Sequence, residues 1–269
     1  MTISPLFPIV TLLLGALISY FWGRLYSRPK FTGFVSFFFL VISAVELSIL
    51  YQRAEPVTWS IGGAQTYLEA NNLAIFLGMV AVGLGALVSL FSINYMERFD
   101  GLSRYYGLLL LMITGIVGIG LAHDLFNLFV FFEIMAIPSY VLVAFDKEKR
   151  EPLEAAIKYI IMSVFGSLIA LTGISIIFMY TGSLDLATLP HYTADMDWLR
   201  TIGAVALIIV GFGVKAAIVP LHTWLPDAHS AAPSGISAML SGIIIEAGLI
   251  DMIKALTVFP GINSGVVLI

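Results

Sequence analysis

Residues 105–145 read YYGLLLLMITGIVGIGLAHDLFNLFVFFEIMAIPSYVLVAF, two long apolar runs joined by the short polar turn His123-Asp124. Each run has the length, about 20 residues, that an α-helix needs to cross the hydrocarbon core of a bilayer. Neither run alternates apolar and polar residues as barrel strands do, and in lipid only a helix or a closed barrel satisfies its backbone hydrogen bonds. The stretch therefore predicts two membrane-spanning helices packed as a tight antiparallel pair.

The same apolar character extends over the whole chain. Of its 269 residues, 59% are hydrophobic and 11% are charged, and the mean hydropathy is +1.00. A water-soluble domain of this length needs a more polar surface. We therefore predict an all-α, polytopic membrane helix bundle with about eight spans: Leu6–Trp22, Phe31–Tyr51, Leu73–Met96, Tyr105–Ala122, Leu125–Phe145, Ala155–Tyr180, Thr201–Val219 and Ile236–Leu256.

Loop charges predict how these spans are oriented. Basic residues gather in the loops after spans one, three and five: Arg24, Arg28, Lys30, Arg98, Arg104, Lys147, Lys149 and Arg150. The opposite loops hold mainly acids, with Arg53 and Arg200 as exceptions: Glu55, Glu69, Asp185, Asp195 and Asp197. By the positive-inside rule the basic loops are cytoplasmic. The pattern predicts a multi-pass protein of the cell membrane with its N-terminus outside, and Met1 to Pro8 opening the first span rather than a signal peptide.

Composition also excludes several classes of function. The net charge is −4 and no basic stripe is present, which argues against nucleic acid as a partner. The chain has no cysteine, so disulfides, thiolate-bound metals and clusters, and a cysteine nucleophile are excluded. Gly211-Phe-Gly213 is not a dinucleotide-binding loop, because no strand precedes it. The sequence predicts no cofactor.

Charged residues inside the spans are the first functional signal. Glu133, Lys158, Lys215 and Glu246 fall within spans five, six, seven and eight. A charge near the bilayer centre costs about 2.5–3.5 kcal/mol on insertion scales, so a functional role is the default interpretation. Burial and pairing shift proton affinity in opposite directions, so these residues predict a proton relay. The alternative is that each charge is paired and only fixes helix register. Glu46, late in span two near the outer interface, is predicted to be a snorkelling or paired edge residue.

The second signal is the stretch PLHTWLPDAHSAAPSG, residues 220–235. Its three prolines do not allow a regular helix, so it predicts that span seven is broken. Histidine side chains can exchange protons near neutral pH, so His222 and His229 are candidates for proton uptake from the cytoplasm. The alternative is a capped loop in which they only donate or accept hydrogen bonds. A metal site of these histidines and Asp227 lacks a fourth ligand, and we reject it. The serines that follow line either a file of water or a packed interface: Ser234, Ser237 and Ser241.

Several of these motifs together resemble a known family. They are DLFNLFVFFEIMAIP at 124–138, Lys158-Tyr-Ile, Gly213-Val-Lys215 and PLHTWLPDAH at 220–229. The combination is similar to the antiporter-like subunits, which include proton-pumping subunits of respiratory complex I, the large subunits of Mrp sodium/proton antiporters, and membrane subunits of membrane-bound hydrogenases and formate hydrogenlyases. The resemblance implies that Glu133 on the fifth helix pairs with Lys215 on the broken seventh helix. It also matches Lys158 to a lysine on the sixth helix.

The chain departs from that family pattern in two respects. Family members similar to complex I subunits usually carry a lysine on the eighth helix, where this chain has Glu246. The family is also built from two inverted five-helix repeats, and this chain resembles only the first. The predicted organisation is leading helices over 1–104, an antiporter-like five-helix repeat over 105–258, and the truncated start of a ninth helix over 259–269. An ion path into a second repeat then continues in another polypeptide or is absent.

Taken together, the sequence predicts a proton-translocating or sodium/proton-translocating subunit of an energy-converting complex, without redox chemistry of its own. Its predicted partners are the lipid bilayer and other membrane subunits, including antiporter-like homologues and a chain that supplies the second repeat. A structural half-subunit that only scaffolds its neighbours is the alternative. An enzyme acting alone is disfavoured, because no cofactor motif or convergent catalytic set is present.

Overall fold

The computed structural model describes residues 4–26, 29–53, 57–60 and 67–260. Arg28, Glu55 and residues 261–269, on which parts of the orientation and domain predictions depend, lie outside this range. The elements in chain order are α1 (Leu6–Tyr26), α2 (Pro29–Tyr51), β1 (Val57–Ser60), β2 (Tyr67–Ala70), α3 (Asn72–Tyr95), α4 (Leu102–Leu121), α5 (Leu125–Val143), α6 (Arg150–Thr181), α7 (Leu189–Thr193), α8 (Trp198–Lys215), α9 (Trp224–Ala231), α10 (Ser234–Met239) and α11 (Ile245–Leu256).

Eight helical segments in the described residues are long and apolar enough to span a membrane. They confirm the predicted all-α bundle of eight spans. The eighth is composite, because a π-helical turn over Leu240–Ile244 joins α10 to α11. The sixth is longer than predicted: α6 has 32 residues, or about 48 Å at 1.5 Å per residue, so one end projects beyond a hydrocarbon core of about 30 Å. The antiparallel hairpin β1–β2 was not predicted.

Helix α4 lies at the centre of the bundle. It packs against α1, α3 and α5, and most of its side chains are buried. Gly115 makes the contact with α5 very close, since a Cβ there would lie 2.3 Å from the backbone nitrogen of Met135. At the turn, the Asp124 carboxylate caps α5 by accepting a hydrogen bond of 2.7 Å from the Asn127 backbone N–H. The predicted antiparallel pair is therefore confirmed.

Contacts between loops define the two ends of the bundle. At the basic end, Lys30 forms an ion pair with Glu97 at 3.0 Å, and residues 98–100 share a cleft with residues 145–149. At the acidic end, Leu68 pairs with Ala122, and Asp124 pairs with Asp185, through isolated β-bridges. The structure therefore separates basic from acidic loops, as the charge pattern predicts.

The seventh span is broken, as the prolines predict, but its helix ends four residues before the predicted end at Val219. Helix α8 ends at Lys215, and Ala217 follows with a left-handed backbone, φ 51°. The Ile218 N–H donates to the Gly213 carbonyl at 3.0 Å and the Ala217 N–H donates to Val214 at 3.2 Å, the two hydrogen bonds of a Schellman motif. That position usually holds glycine, because a side chain there is strained. The short helix α9 lies inside the break and was not predicted.

Candidate functional site

The side chain of Lys215 is the most completely buried basic group in the described residues, with 1% of the residue exposed. Its Nζ donates a hydrogen bond to Ser139 Oγ at 3.1 Å and another to the Tyr159 hydroxyl. The ammonium also lies over two aromatic rings, 4.4 Å from the Tyr159 centroid and 5.1 Å from that of Tyr140. Hydroxyl oxygens and ring faces thus replace the water that a buried ammonium loses.

The break in span seven is anchored to this same cluster. The ring of Trp224, at the start of α9, stacks on Tyr159 with centroids 4.0 Å apart and an angle of 1° between planes. Its Nε1–H donates to the Val214 carbonyl at 2.8 Å, and the same carbonyl accepts a hydrogen bond from the Ala217 N–H at the end of α8. The stack and the hydrogen bond therefore join α9 to the groups that hold Lys215.

Glu133 lies near Lys215 but not in contact with it. Ser167 Oγ donates a hydrogen bond to Glu133 Oε1, and in the described part of the chain no carboxylate forms an ion pair with Lys215. Glu133 precedes Ser139, the Lys215 partner, by six residues, about 9 Å along the axis of α5. The two charges interact electrostatically across this gap. The direct pairing that the resemblance implies is absent from this conformation.

Lys158 lies apart from this buried cluster, near the basic end of α6. Its side chain is 50% exposed and pairs with Asp227 at 2.8 Å and with Glu154 at 3.0 Å. The pair lines an open cleft together with Glu151 and Ser230. Lys158 therefore connects α6 to α9 through Asp227, on the side of the bundle that the charge pattern assigns to the cytoplasm.

The two histidines of the break differ in their surroundings. His229 Nδ1 lies 2.8 Å from Ser237 Oγ, and burial lowers the pKa of this imidazole. His222 Nδ1 is buried and has no hydrogen-bond partner among the described residues. Within the described residues no three histidine or acidic side chains are grouped as metal ligands.

The serines at the start of span eight are bonded to protein groups. Ser234 Oγ donates to the Tyr95 hydroxyl at 3.0 Å. Ser241 Oγ donates to the Ser237 carbonyl at 3.1 Å. The two alternatives, a file of water and a packed interface, stay predictions.

Glu246 is exposed on the surface of this chain. Gly248, two residues later, faces Lys215: a Cβ at Gly248 would lie 3.2 Å from Lys215 Cβ. Positions two residues apart are separated by about 200° around the helix axis, so Glu246 points away from Lys215. Glu46, predicted as a snorkelling or paired edge residue, accepts a hydrogen bond of 2.8 Å from Thr11 Oγ1.

Two charged residues of span eight escaped the sequence analysis. Asp251 is fully buried. Lys254 is partly buried, and its Nζ donates three hydrogen bonds. Both fall within the predicted span Ile236–Leu256, so the criterion that selected Glu246 applies to them equally. The hydroxyl partners Ser139 and Tyr159 carry no comparable signal, because serine and tyrosine are common in spans.

Removing the Tyr159 hydroxyl tests its contact with Lys215. In Tyr159→Phe the stack on Trp224 remains, so we expect the protein to assemble normally. The lost hydrogen bond stabilises the charged lysine, and such bonds are worth about 1.5–3 kcal/mol. We expect the pH profile of ion transport to move towards acidic pH by about one unit or more. Transport by Tyr180→Phe, whose hydroxyl donates to a backbone carbonyl near the acidic end, should keep the wild-type profile. An unshifted profile in Tyr159→Phe would contradict the contact.

An eight-span bundle with a buried lysine at a broken seventh helix defines the chain as an antiporter-like membrane subunit. The family model for the transmembrane region of NADH:quinone oxidoreductases and Mrp antiporters matches residues 122–268, more than half of the chain. The chain therefore belongs to the NADH:quinone oxidoreductase/Mrp antiporter family.

Relatives come from both branches of the family. The N subunit of the NADH-quinone oxidoreductase of Alkalilimnicola ehrlichii is 34% identical over 220 residues, 80% of this chain and 44% of the relative. One subunit of the Na⁺/H⁺ antiporter of Bacillus subtilis is 30% identical over 257 residues, 93% of this chain and 52% of the relative. The chain thus spans about half the length of these relatives.

Solved structures show the same fold. A chain of an archaeal membrane-bound sulfane sulfur reductase superposes with a TM-score of 0.89 at 29% identity, covering 95% of this chain and 53% of that one. A chain of the Mrp complex from Dietzia gives a TM-score of 0.80 at 25% identity, covering 92% of this chain and 27% of that one. The family resemblance predicted from the motifs is confirmed.

Proposed function

We propose that this chain is an ion-translocating subunit of a multisubunit, energy-converting complex of the cell membrane, with its N-terminus outside. The ion is a proton, or sodium in exchange for protons. The observation that carries the proposal is the buried Lys215 ammonium, which is held by hydroxyls and rings rather than by a carboxylate. Intramembrane charges mark ion pathways.

This environment makes the charge of Lys215 sensitive to small movements. Desolvation favours the neutral amine, whereas a nearby carboxylate favours the ammonium. Because Glu133 lies at electrostatic range and not in contact, a shift of α5 or α8 changes their interaction strongly. Glu133 thereby sets how firmly Lys215 holds its proton.

Protons reach Lys215 from the basic end of the bundle. The cleft beside Lys158 and Asp227 is open on that side, and Asp227 lies on α9, whose Trp224 stacks on Tyr159. His222 lies just before this short helix and His229 lies on it, and both serve as proton carriers. Burial lowers the pKa of the His229 imidazole. Lys158 passes charge by exchanging its carboxylate partners.

The relatives support a role inside a larger assembly. Two of the relatives are subunits of an NADH-quinone oxidoreductase and of a Na⁺/H⁺ antiporter. The similar solved structures belong to membrane complexes. The partners are accordingly other membrane subunits, including antiporter-like homologues. Glu246 is exposed on the surface of this chain and serves as the next relay site towards such a subunit.

Glu133→Ala tests the translocating role against the scaffold alternative. Without the carboxylate, the affinity of Lys215 for protons is no longer modulated, so we expect transport to fall to background while the complex still assembles. Transport is measured with a pH-sensitive dye in vesicles that contain the whole complex. Glu148→Ala, in the exposed loop before α6, is the matched control and should transport normally. Full transport by Glu133→Ala would favour the scaffold.

A further inference from the structure

Asp251 is a buried acid whose carboxylate accepts no hydrogen bond in the described part of the chain. It lies on α11 with 0% of the residue exposed, and neither carboxylate oxygen has a hydrogen-bond partner among the described residues. Buried polar groups are nearly always hydrogen-bonded, so each exception calls for an explanation. An unpaired acid inside a membrane span is a functional site by default. A purely structural acid would instead be satisfied by a donor.

The fold places Asp251 on the face of α11 that packs against the end of α8, where Lys215 lies. Gly248 lets α11 approach the end of α8 closely, since a Cβ there would lie 2.9 Å from the Ala216 nitrogen and 3.1 Å from the Lys215 carbonyl carbon. Asp251 follows Gly248 by three residues and so lies on the same face of the helix. Its carboxyl group interacts electrostatically with the ammonium groups of both Lys215 and Lys254.

Lys254 is the next charged group after Lys215 and Asp251 in the direction of the acidic end. It lies three residues after Asp251, again on the same face. Its Nζ donates to the carbonyls of Ile119 at 2.9 Å and Ala122 at 3.0 Å, and also to Gly120. These are carbonyls at the C-terminal end of α4, which lack helical partners and carry the negative end of the helix dipole.

Beyond Lys254, this series of charged groups ends at a partly exposed pair, Glu69 and His123. The Glu69 carboxylate interacts electrostatically with Lys254 and forms an ion pair of 2.8 Å with His123 Nδ1. The side chains of Glu69 and His123 are 17% and 21% exposed, so both reach the surface. His123 also stacks on Tyr67 of β2, with centroids 4.7 Å apart, which fixes the hairpin over this end of the bundle.

We propose that Asp251 accepts protons from Lys215 and that Asp251, Lys254, Glu69 and His123 form a proton release route to the acidic end, entirely within this chain. The inference rests on the proposed function and deepens it, because it adds a release half to the site around Lys215. It also assigns a task to the β1–β2 hairpin, which supplies Glu69. The route runs along the face of α11 opposite to Glu246.

Each step of the route conserves protons and charge. The Lys215 ammonium gives one proton to the Asp251 carboxylate, which leaves a neutral amine and a neutral carboxylic acid. The Lys254 ammonium then gives a proton to Glu69 or His123 and takes one from the Asp251 acid, so that Asp251 becomes a carboxylate again. Water bridges the gaps between groups that are not in contact. The proton leaves from the Glu69–His123 pair to the aqueous phase.

Asp251→Asn in the whole complex tests the route. The amide has the shape of the acid but binds no proton, so we expect transport in dye-loaded vesicles to fall at least tenfold. Asp251→Glu restores a titratable group and should recover a large part of transport. Asp195→Asn, an exposed acid at the same end, is the matched control. Because Asp251 has no hydrogen-bond partner to lose among the described residues, Asp251→Asn should keep the wild-type yield and apparent Tm of the complex.

Two further measurements separate the route from the proposed function. Infrared difference spectra should contain the carbonyl stretch of a protonated carboxylic acid that disappears in Asp251→Asn. Glu69→Gln, a change near the surface that does not endanger folding, should lower transport severalfold. If Lys215→Met abolishes transport while Asp251→Asn and Glu69→Gln transport normally, the route is overturned and the proposed function stands. If Lys215→Met itself transports normally, the proposed function fails.

Discussion

Lys215→Met should reduce ion transport to the level of vesicles that lack the complex. The variant removes the group that carries the proton and replaces it with an apolar side chain of similar length. Assembly should not suffer, because replacing a buried charge by a well-packed apolar group is often neutral or stabilising. The two hydroxyls that lose the ammonium, those of Ser139 and Tyr159, lie 3.0 Å apart and stay bonded to each other. The measurement is transport with a pH-sensitive dye, together with the yield of the purified complex.

Two companion variants sharpen this prediction. Lys147→Met makes the same substitution at an exposed loop lysine and should transport at the wild-type rate. Lys215→Arg keeps a positive charge but does not release its proton near neutral pH, so we expect it to be inactive as well. An active Lys215→Arg would mean that charge alone is needed, and it would remove the proton-carrying role from Lys215.

Gly211→Ala should destabilise the complex by about 1–3 kcal/mol, the usual range for overpacking of a well-packed interior. Helices α6 and α8 touch through Gly211, and a Cβ there would lie 2.5 Å from the backbone nitrogen of Ala170. A backbone atom does not move aside as a side-chain tip does, so the two helices must separate. Since α6 carries Tyr159 and α8 carries Lys215, the separation should also weaken transport. The measurement is the apparent Tm at which this chain is lost from the purified complex.

Gly203→Ala provides the matched control on the same helix. A Cβ at Gly203 has no atom within 4 Å, so the substitution introduces no clash. Alanine also has the higher helix propensity, by about 1 kcal/mol in water. We therefore expect Gly203→Ala to keep or slightly raise the apparent Tm. An equal loss of stability in both variants would show that close packing of α6 on α8 is not the cause.

The fold was largely predictable from the sequence. Span number and helical character follow from apolar runs of sufficient length, because lipid leaves the backbone no other partners. The antiparallel pair of α4 and α5 followed from the two-residue turn His123-Asp124, and the break from Pro220, Pro226 and Pro233. The full length of α6 and the presence of the hairpin β1–β2 were not predicted. Both features lie partly or wholly outside the apolar runs from which the spans were predicted.

The candidate site was predictable only in part. Lys215 was identified from its position in an apolar run, and the structure buries it. The geometry around it was not predicted: hydroxyls and rings hold the ammonium, Glu133 stays at a distance, and Lys158 pairs with Asp227 at the surface. The roles of Glu133, Lys158, Lys215, Glu246, His222 and His229 in a relay remain predictions.

By itself the sequence determined how many times the chain crosses the membrane, where the seventh span breaks, and which spans carry charge. Each of these features depends only on the hydropathy, the charge or the proline content of one segment of the chain. Only the tertiary structure decided which charges face each other, because that depends on the rotation of each helix about its axis. The π-helical turn at Leu240–Ile244 widens the helix and changes the rotation of every later residue. The packing of α11 against α8 therefore decides that Asp251 faces Lys215 and that Glu246 is exposed on the surface.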